Sequence, residues 1–268
     1  MEEGVNIVLK GVLKMIVVKK EDTFLMFEQH EHAKVSGLMA SYWSDELFFG
    51  KGMKEEVVYA ISQHDRAWIP LDERPKWNEE KESPHSFMDH PLEDKIAAYE
   101  RGVDEIEKES GYAALLCSIH FTAFLDKNTD NPIITQYISR EIDRQTRLIK
   151  KYDKSVTEKE LNFHIDLLRF CDSLSLYICL NEPGIPKFKE NNMFINGFPQ
   201  IFEGIGEAMN AYWIGEEFVS VEPFPFKESF DVSIPFKRVG NGAIESLGLR
   251  RAYDEAPIQY RKLTIGKK

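Results

Sequence analysis

A histidine and an aspartate stand side by side at the end of an apolar helical run. His64 and Asp65 follow a stretch that contains Val57, Val58 and Ile61. Val57 lies seven residues, about two helical turns, before His64, and Val58 lies seven residues before Asp65. Both polar side chains therefore point toward the packed face of the predicted helix. Buried polar groups cost free energy unless they find a partner. The pair therefore predicts that further ligands lie at core-facing positions elsewhere in the chain.

Three more polar residues occupy the apolar stripes of predicted helices. His32 begins a stripe that continues at helical spacing in a helix predicted to run to about Phe49. His120 lies four residues from an apolar residue on either side, and Asp172 lies in the stripe of a helix predicted over residues 156–180. An isolated buried carboxylate would cost about as much free energy as a domain has net stability. Asp172 is therefore predicted to be paired or bound to a metal.

The residue types and their order predict a cation site. His64 and Asp65 are about 100° apart around a helix, so one cation can contact both. His32 and Asp172 come from neighbouring helices and complete the ligand shell. Imidazole and carboxylate together suit Mn, Fe, Zn, Co or Ni better than Ca. The sequence thus predicts a divalent transition metal, as one ion or two.

The pattern along the rest of the chain predicts a mainly α protein with strands at both ends. Residues 1–29 are expected to form a β hairpin, residues 30–181 a helical metal-binding core, and residues 182–268 a loop, a short helix and a small β appendage packed on the core. A sheet shared between this appendage and the hairpin is an alternative.

Individual elements follow from periodicity and turn residues. Strands are predicted at residues 5–19, 24–29, 218–222, 230–236 and 257–265. Beyond those already named, helices are predicted at residues 92–109, 111–125, 132–152 and 201–213. Thr157 and Glu160 have the spacing of a capping box at the start of the longest helix. The polar, proline-rich residues 70–91 are expected to form a long loop that covers something.

Charge and cysteine usage exclude several function classes. The chain has 268 residues and a net charge of -11, which argues against binding a nucleic-acid polymer or an anionic membrane. Its three cysteines lie inside apolar helical patterns rather than in paired motifs, as expected of buried thiols in a reducing compartment. No apolar run is long enough for a membrane span, and the start lacks a signal-peptide pattern. The sequence predicts a cytoplasmic protein.

The ligand order resembles the HD-domain superfamily of metal-dependent phosphohydrolases, whose signature is a histidine, a His-Asp pair and a distant aspartate on helices. The segments that carry the resemblance are His32-Ala33-Lys34-Val35, Ala60-Ile61-Ser62-Gln63-His64-Asp65 and Cys171-Asp172-Ser173-Leu174. The resemblance covers roughly residues 32–180 and implies an HD-domain-like helical bundle. It also implies that His120 takes the place of the extra histidine of two-metal members. Where many members carry a lysine, this chain has Arg66, Ala67 and Trp68.

The leading functional hypothesis is a metal-dependent phosphohydrolase that acts on a small phosphorylated molecule or nucleotide. Asp65 would hold or deprotonate a metal-activated water, and His120 or Arg66 would face the developing charge. The metal ligands would be His32, His64, Asp65 and Asp172, with His120 as a further ligand. The expected partner is a small phosphorylated substrate, and a homodimer is an open alternative.

Two rival hypotheses use the same ligands. The first is a di-iron oxygenase, and the second is a non-catalytic binding module that a metal stabilises. A second ion would rely on His120 together with His85, His90 or His164. His30 and His164 lie off the main apolar faces and are predicted to be exposed.

Overall fold

The computed structural model describes residues 15–86 and 88–268, so residues 5–14 of the strand predicted over residues 5–19 lie outside the described residues. In the first half of the chain the elements are β1 (Ile16–Lys19), β2 (Thr23–Phe27), α1 (Gln29–Tyr42), α2 (Lys54–Gln63), α3 (Ile69–Asp72), β3 (Trp77–Asn78), β4 (Ser83–Pro84), α4 (Leu92–Glu109) and α5 (Gly111–Ala123). They continue with α6 (Pro132–Tyr152), α7 (Glu158–Leu180), β5 (Asn210–Trp213), β6 (Phe218–Glu222), β7 (Phe230–Gly240), α8 (Asn241–Leu247), α9 (Leu249–Glu255) and β8 (Ile258–Gly266).

The strands from both ends of the chain form one six-stranded sheet, in the order β1-β2-β7-β8-β6-β5. The β6–β8 pair is parallel and the other neighbours are antiparallel. The prediction of a mainly α, HD-domain-like bundle with a small C-terminal β appendage is therefore wrong. The alternative of a sheet shared with the N-terminal hairpin is correct, because β2 pairs with β7. Pairing between strands so far apart leaves no periodic mark in the sequence.

The long helices form where periodicity places them. Helices α4 and α6 have the predicted bounds, and α5 and α7 differ from the prediction by two residues at one end. The capping box is present, because the Thr157 hydroxyl accepts from the Glu160 backbone amide and the Glu160 carboxylate accepts from the Thr157 amide. No described helix is long and apolar enough to cross a membrane.

Two predicted helices are wrong for tertiary reasons. The first was expected to reach Phe49, but α1 ends at Tyr42 because Trp43 forms a β-bridge with Phe226. The helix predicted over residues 201–213 is absent, because two glycines there have positive φ and the segment ends in β5, which pairs with β6. The short helices α8 and α9 were not predicted.

Arg261 joins the sheet to the end of α7. This β8 side chain donates hydrogen bonds to the backbone carbonyls of Ile178, Cys179 (3.1 Å) and Asn181 (2.9 Å). Its guanidinium also lies 5.0 Å from the ring centroid of Phe27 on β2. The last carbonyls of a helix lack intrahelical partners, so a buried cation at this position satisfies them and interacts favourably with the helix dipole.

Candidate metal centre

Helices α1, α2 and α7 bring four of the predicted ligands together in the core. His32 lies on α1, His64 and Asp65 directly follow α2, and Asp172 lies on α7. The two histidines and Asp65 are fully buried, and Asp172 is 5% exposed. A Cβ atom on Gly37 would lie 2.8 Å from the Cα of Ser62, so this glycine lets α1 and α2 approach closely.

The donor atoms have the spacing of ligands around one ion. His32 Nε2 lies 3.3 Å from His64 Nε2, 3.2 Å from Asp172 Oδ1 and 3.4 Å from Asp65 Oδ2. His64 Nε2 lies 3.4 Å from Asp172 Oδ1 and 3.6 Å from Asp65 Oδ2. Ligand atoms on a tetrahedral ion with bonds of about 2.0–2.1 Å stand about 3.3–3.4 Å apart. The ligand atoms of His32, His64 and Asp172 all lie within 4.8 Å of one another and form a compact group. Asp65 lies beside the two histidines of this group.

The ring of His64 is oriented with its Nε2 toward the other ligands. Its Nδ1 lies 2.7 Å from the carbonyl oxygen of Ile61 and donates to it, because a carbonyl can only accept. In the neutral imidazole, Nε2 then carries the lone pair and faces His32 and the carboxylates. A carbonyl partner on the far nitrogen is the usual way in which proteins orient a metal-binding histidine.

The charges around the cluster favour a cation at its centre. Although burial opposes the charged form of His64, the carboxylates of Asp65 and Asp172 raise its pKa to about 9. Burial also raises the pKa of Asp65, and the charge of Asp172 adds to that rise. Two buried carboxylates repel each other unless positive charge lies between them, and in the metal-free protein a proton on His64 supplies it. A metal ion in the same place fits this donor set.

Unpartnered buried atoms support the same fit. Around the cluster, Asp65 Oδ2, His32 Nδ1 and both ring nitrogens of His120 are among the buried atoms that have no hydrogen-bond partner in the described residues. Such atoms cost free energy unless something outside the chain satisfies them. The Asp65 oxygen faces the two histidines, where a cation would satisfy it. A divalent transition metal held by His32, His64, Asp65 and Asp172 therefore agrees with the residues present.

Trp68 holds Asp65 in place, a role that the sequence did not indicate. Its indole Nε1 donates to Asp65 Oδ1 at 3.1 Å, which leaves Oδ2 to face the cluster. The spacing of three residues between Asp65 and Trp68 is the sequence signal for this contact. Asp72 accepts from the backbone amide of Gln29 at 2.7 Å. That bond satisfies an amide at the start of α1, the helix that carries His32.

His120 lies beside the cluster but is not part of its compact group. Its Nε2 is 3.8 Å from Asp172 Oδ2, and its ring centroid is 5.2 Å from that of His64. Burial, followed by the charges of His64 and Arg169, holds the pKa of His120 well below its usual range. The ring is therefore neutral, with one N–H donor and one lone pair.

The other candidate residues contact residues outside the cluster. The guanidinium of Arg66 pairs with Glu105 at 3.3 Å, and no contact between described residues joins it to the metal ligands. His85 and His90 lie close to each other, with ring centroids 5.5 Å apart.

The prediction that His164 is exposed is wrong, because this side chain is fully buried. Its Nε2 donates to the carbonyl of Phe49 at 2.8 Å, and its Nδ1 accepts from the hydroxyl of Tyr112 at 2.6 Å. Both ring nitrogens are thus satisfied within the protein, in contrast to those of His120.

We expect Trp68→Phe to weaken metal binding about 10- to 100-fold, because Asp65 loses the donor that orients it. Isothermal titration calorimetry of the metal-free protein measures this change. Trp43→Phe is the matched control, since Trp43 is equally buried but its Nε1 has no hydrogen-bond partner among the described residues. Equal affinities in the two variants would contradict the role assigned to Trp68.

Comparisons with known proteins identify a matching family. A family model described as "Protein of unknown function (DUF3891)" matches residues 15–241. The matched region contains all four proposed ligands and His120. No curated protein and no solved structure matches the chain.

Proposed function

The chain belongs to the DUF3891 family of proteins of unknown function, and we propose that it is a metal-dependent phosphohydrolase acting on a small phosphorylated molecule. The observation that carries the proposal is the buried cluster of His32, His64, Asp65 and Asp172, whose donor atoms lie 3.2 to 3.6 Å apart across the pairs described above. The order of these residues along the chain supports the resemblance to HD phosphohydrolases. The proposal concerns the ligand set and its chemistry, not the fold.

The reaction would join a water oxygen to phosphorus and break the ester P–O bond, yielding phosphate and an alcohol. A bound divalent metal lowers the pKa of water toward neutrality and polarises a phosphoryl oxygen. Asp65, whose Oδ1 accepts from the indole of Trp68, would hold the metal-bound water or take its proton. The N–H of His120 would face the charge that develops on the phosphoryl group.

The charge of the chain fits a small substrate. A net charge of -11 repels anions at long range, so positive charge must be concentrated where the phosphoryl group binds. The metal-binding cluster supplies such a focus. We further propose a cytoplasmic location, no nucleic-acid polymer or membrane as a partner, and a homodimer as an alternative to a monomer.

A second candidate function is a non-catalytic module that a metal stabilises. The observation that favours it is burial, because His32, His64 and Asp65 have no exposed surface and solvent reaches the cluster only at Asp172. Structural metal sites are closed, whereas catalytic sites keep a position open for water or substrate. The two functions differ in whether the metal-loaded protein turns over any phosphoester.

A hydrolysis assay distinguishes these functions. Protein stripped with a chelator and reloaded with Mn, Co or Zn is tested on a panel of phosphomonoesters and nucleotides. We expect turnover only after reloading, and we expect Asp65→Asn to lower kcat about 10²- to 10⁴-fold, as the loss of a general base does. Arg66→Gln tests the predicted role of Arg66, and a retained kcat would remove it from the mechanism.

Metal content is measured in parallel, so that loss of the ion is separated from loss of the base. Reloaded wild-type protein that binds metal but hydrolyses nothing on the panel would favour the non-catalytic module. Full activity in Asp65→Asn would contradict the mechanism. Iron and a visible absorption band in aerobically purified protein would favour the di-iron alternative instead.

A further inference from the structure

His120 raises a question that the four-ligand cluster does not answer. It is 1% exposed, and neither ring nitrogen has a hydrogen-bond partner among the described residues. Its Nε2 faces Asp172 Oδ2, whereas the other oxygen of Asp172 faces His32 and His64. The imidazole is therefore directed to the same carboxylate from a different side, where it requires a partner of its own.

A second metal ion is a poor partner for this histidine. Within residues 15–86 and 88–268, the group of His32, His64 and Asp172 is the one set of three potential ligands that is so compact. An ion between His120 and Asp172 would lack a third protein ligand at similar distance, although metal sites commonly use at least three. A nearby arginine also opposes a second cation, since like charges in a partly buried site repel strongly.

That arginine is Arg169, three residues before Asp172 on α7 and so on the same side of the helix. Its guanidinium lies 3.7 Å from the carboxylate of Asp166, and the two side chains are 38% and 41% exposed. Its positive charge also lowers the pKa of His120, which places it within electrostatic reach of that ring. Arg169 is thus a partly exposed arginine on the same side of α7 as Asp172, within electrostatic reach of His120.

The contact of Arg169 with Asp166 is weak enough to be exchanged. At 3.7 Å it exceeds hydrogen-bond distance, and exposed ion pairs contribute little to stability. Because this contact is weak, the planar guanidinium of Arg169 is available to bind an anion. Phosphate is a good match, because two of its oxygens accept parallel hydrogen bonds from one guanidinium.

We propose that His120 and Arg169 form the binding subsite for the terminal phosphoryl group of a phosphomonoester, beside a single metal ion. Arg169 contacts two non-bridging oxygens, and the N–H of His120 donates to a phosphoryl oxygen. This arrangement favours a monoester over a diester, because a monoester has three non-bridging oxygens, enough for two contacts with Arg169 and one with His120, whereas a diester has two. The inference rests on the proposed function and adds the substrate class and the number of ions.

Binding of inorganic phosphate to the metal-loaded protein tests the subsite. The protein is loaded with manganese, freed of excess ion, analysed for metal by mass spectrometry and titrated with phosphate by calorimetry. We expect one ion per chain. We expect Arg169→Gln to weaken phosphate binding about 10- to 100-fold, the range for hydrogen bonds to a charged group, at unchanged metal content. Arg169→Lys keeps the charge but not the planar guanidinium, so its phosphate affinity should lie between those of wild type and Arg169→Gln.

Two further variants serve as controls. Arg251→Gln removes an exposed arginine that also pairs with a carboxylate, on α9, and should leave phosphate affinity unchanged. Asp166→Asn removes the competitor of the phosphate and should keep or strengthen binding. A merely structural Arg169–Asp166 pair would instead make Asp166→Asn and Arg169→Gln behave alike.

The possible failures are distinguishable. If metal-loaded wild-type protein binds no phosphate, both the proposed function and the subsite are wrong. If wild type binds phosphate and Arg169→Gln binds it equally well, the subsite is wrong and the proposed function stands. Two ions per chain would overturn the single-ion arrangement.

Discussion

Replacing His64 by alanine is expected to abolish metal binding and, with it, any hydrolysis. His64 Nε2 lies within 3.6 Å of donor atoms on His32, Asp65 and Asp172, so its removal opens the shell and leaves two buried carboxylates without the positive charge between them. Leaving a buried charge uncompensated destabilises proteins by about 3–5 kcal/mol. We therefore expect metal content to fall from one ion per chain to background and the chemical denaturation midpoint to fall as well.

His164→Ala is the matched control for this experiment. His164 is as buried as His64, but its two nitrogens bond to Phe49 and Tyr112. Its loss should lower the free energy of unfolding by about 1–3 kcal/mol through the orphaned partners, at unchanged metal content. Metal content retained in His64→Ala would contradict the assignment of the centre. A chelator should destabilise wild type and His164→Ala but not His64→Ala, because a ligand stabilises only a protein that binds it.

Arg261→Met is expected to lower the free energy of unfolding by about 2–4 kcal/mol without changing metal content. The buried guanidinium donates to the carbonyls of Ile178, Cys179 and Asn181, and hydrogen bonds to a charged group contribute about 1.5–3 kcal/mol. Methionine keeps much of the aliphatic stem but leaves these carbonyls without their donor. Urea denaturation followed by circular dichroism measures the change.

Arg238→Met provides the comparison, since Arg238 is an exposed arginine on the neighbouring strand β7. We expect this variant to stay within about 0.5 kcal/mol of wild type, as surface substitutions usually do. A similar small effect for Arg261→Met would mean that the end of α7 does not depend on the sheet. Loss of metal in Arg261→Met would show that the position of Asp172 depends on this contact.

Local physics explains why much of the helical part was predictable. The capping box at Thr157 and the apolar stripe of α7 each involve residues a few positions apart, and the helix formed almost as predicted. The same periodicity put His32, His64 and Asp172 on packed faces, and all three are buried within one group.

The features that the sequence did not predict share a different cause. The segment over residues 201–213 was predicted to be helical, but it ends in β5, which exists because β6 pairs with it. His164 lies off the main stripe yet is buried, because Phe49 and Tyr112 from other elements enclose it. The sequence pattern around Trp68 does not indicate that its indole N–H donates to Asp65. In each case the deciding contact comes from the surrounding fold rather than from the local pattern.

The sequence by itself determined which residue types face the core and in what order, because burying His64 beside Asp65 requires partners whatever the fold. Only the tertiary structure decided that strands from both chain ends form one sheet. It also decided that Asp172 turns one oxygen toward His32 and the other toward His120, and that the side chain of Arg169 is partly exposed. The physical reason is range: helical periodicity acts over a few residues, whereas strand pairing and the convergence of side chains from α1, α2, α5 and α7 depend on contacts between distant parts of the chain.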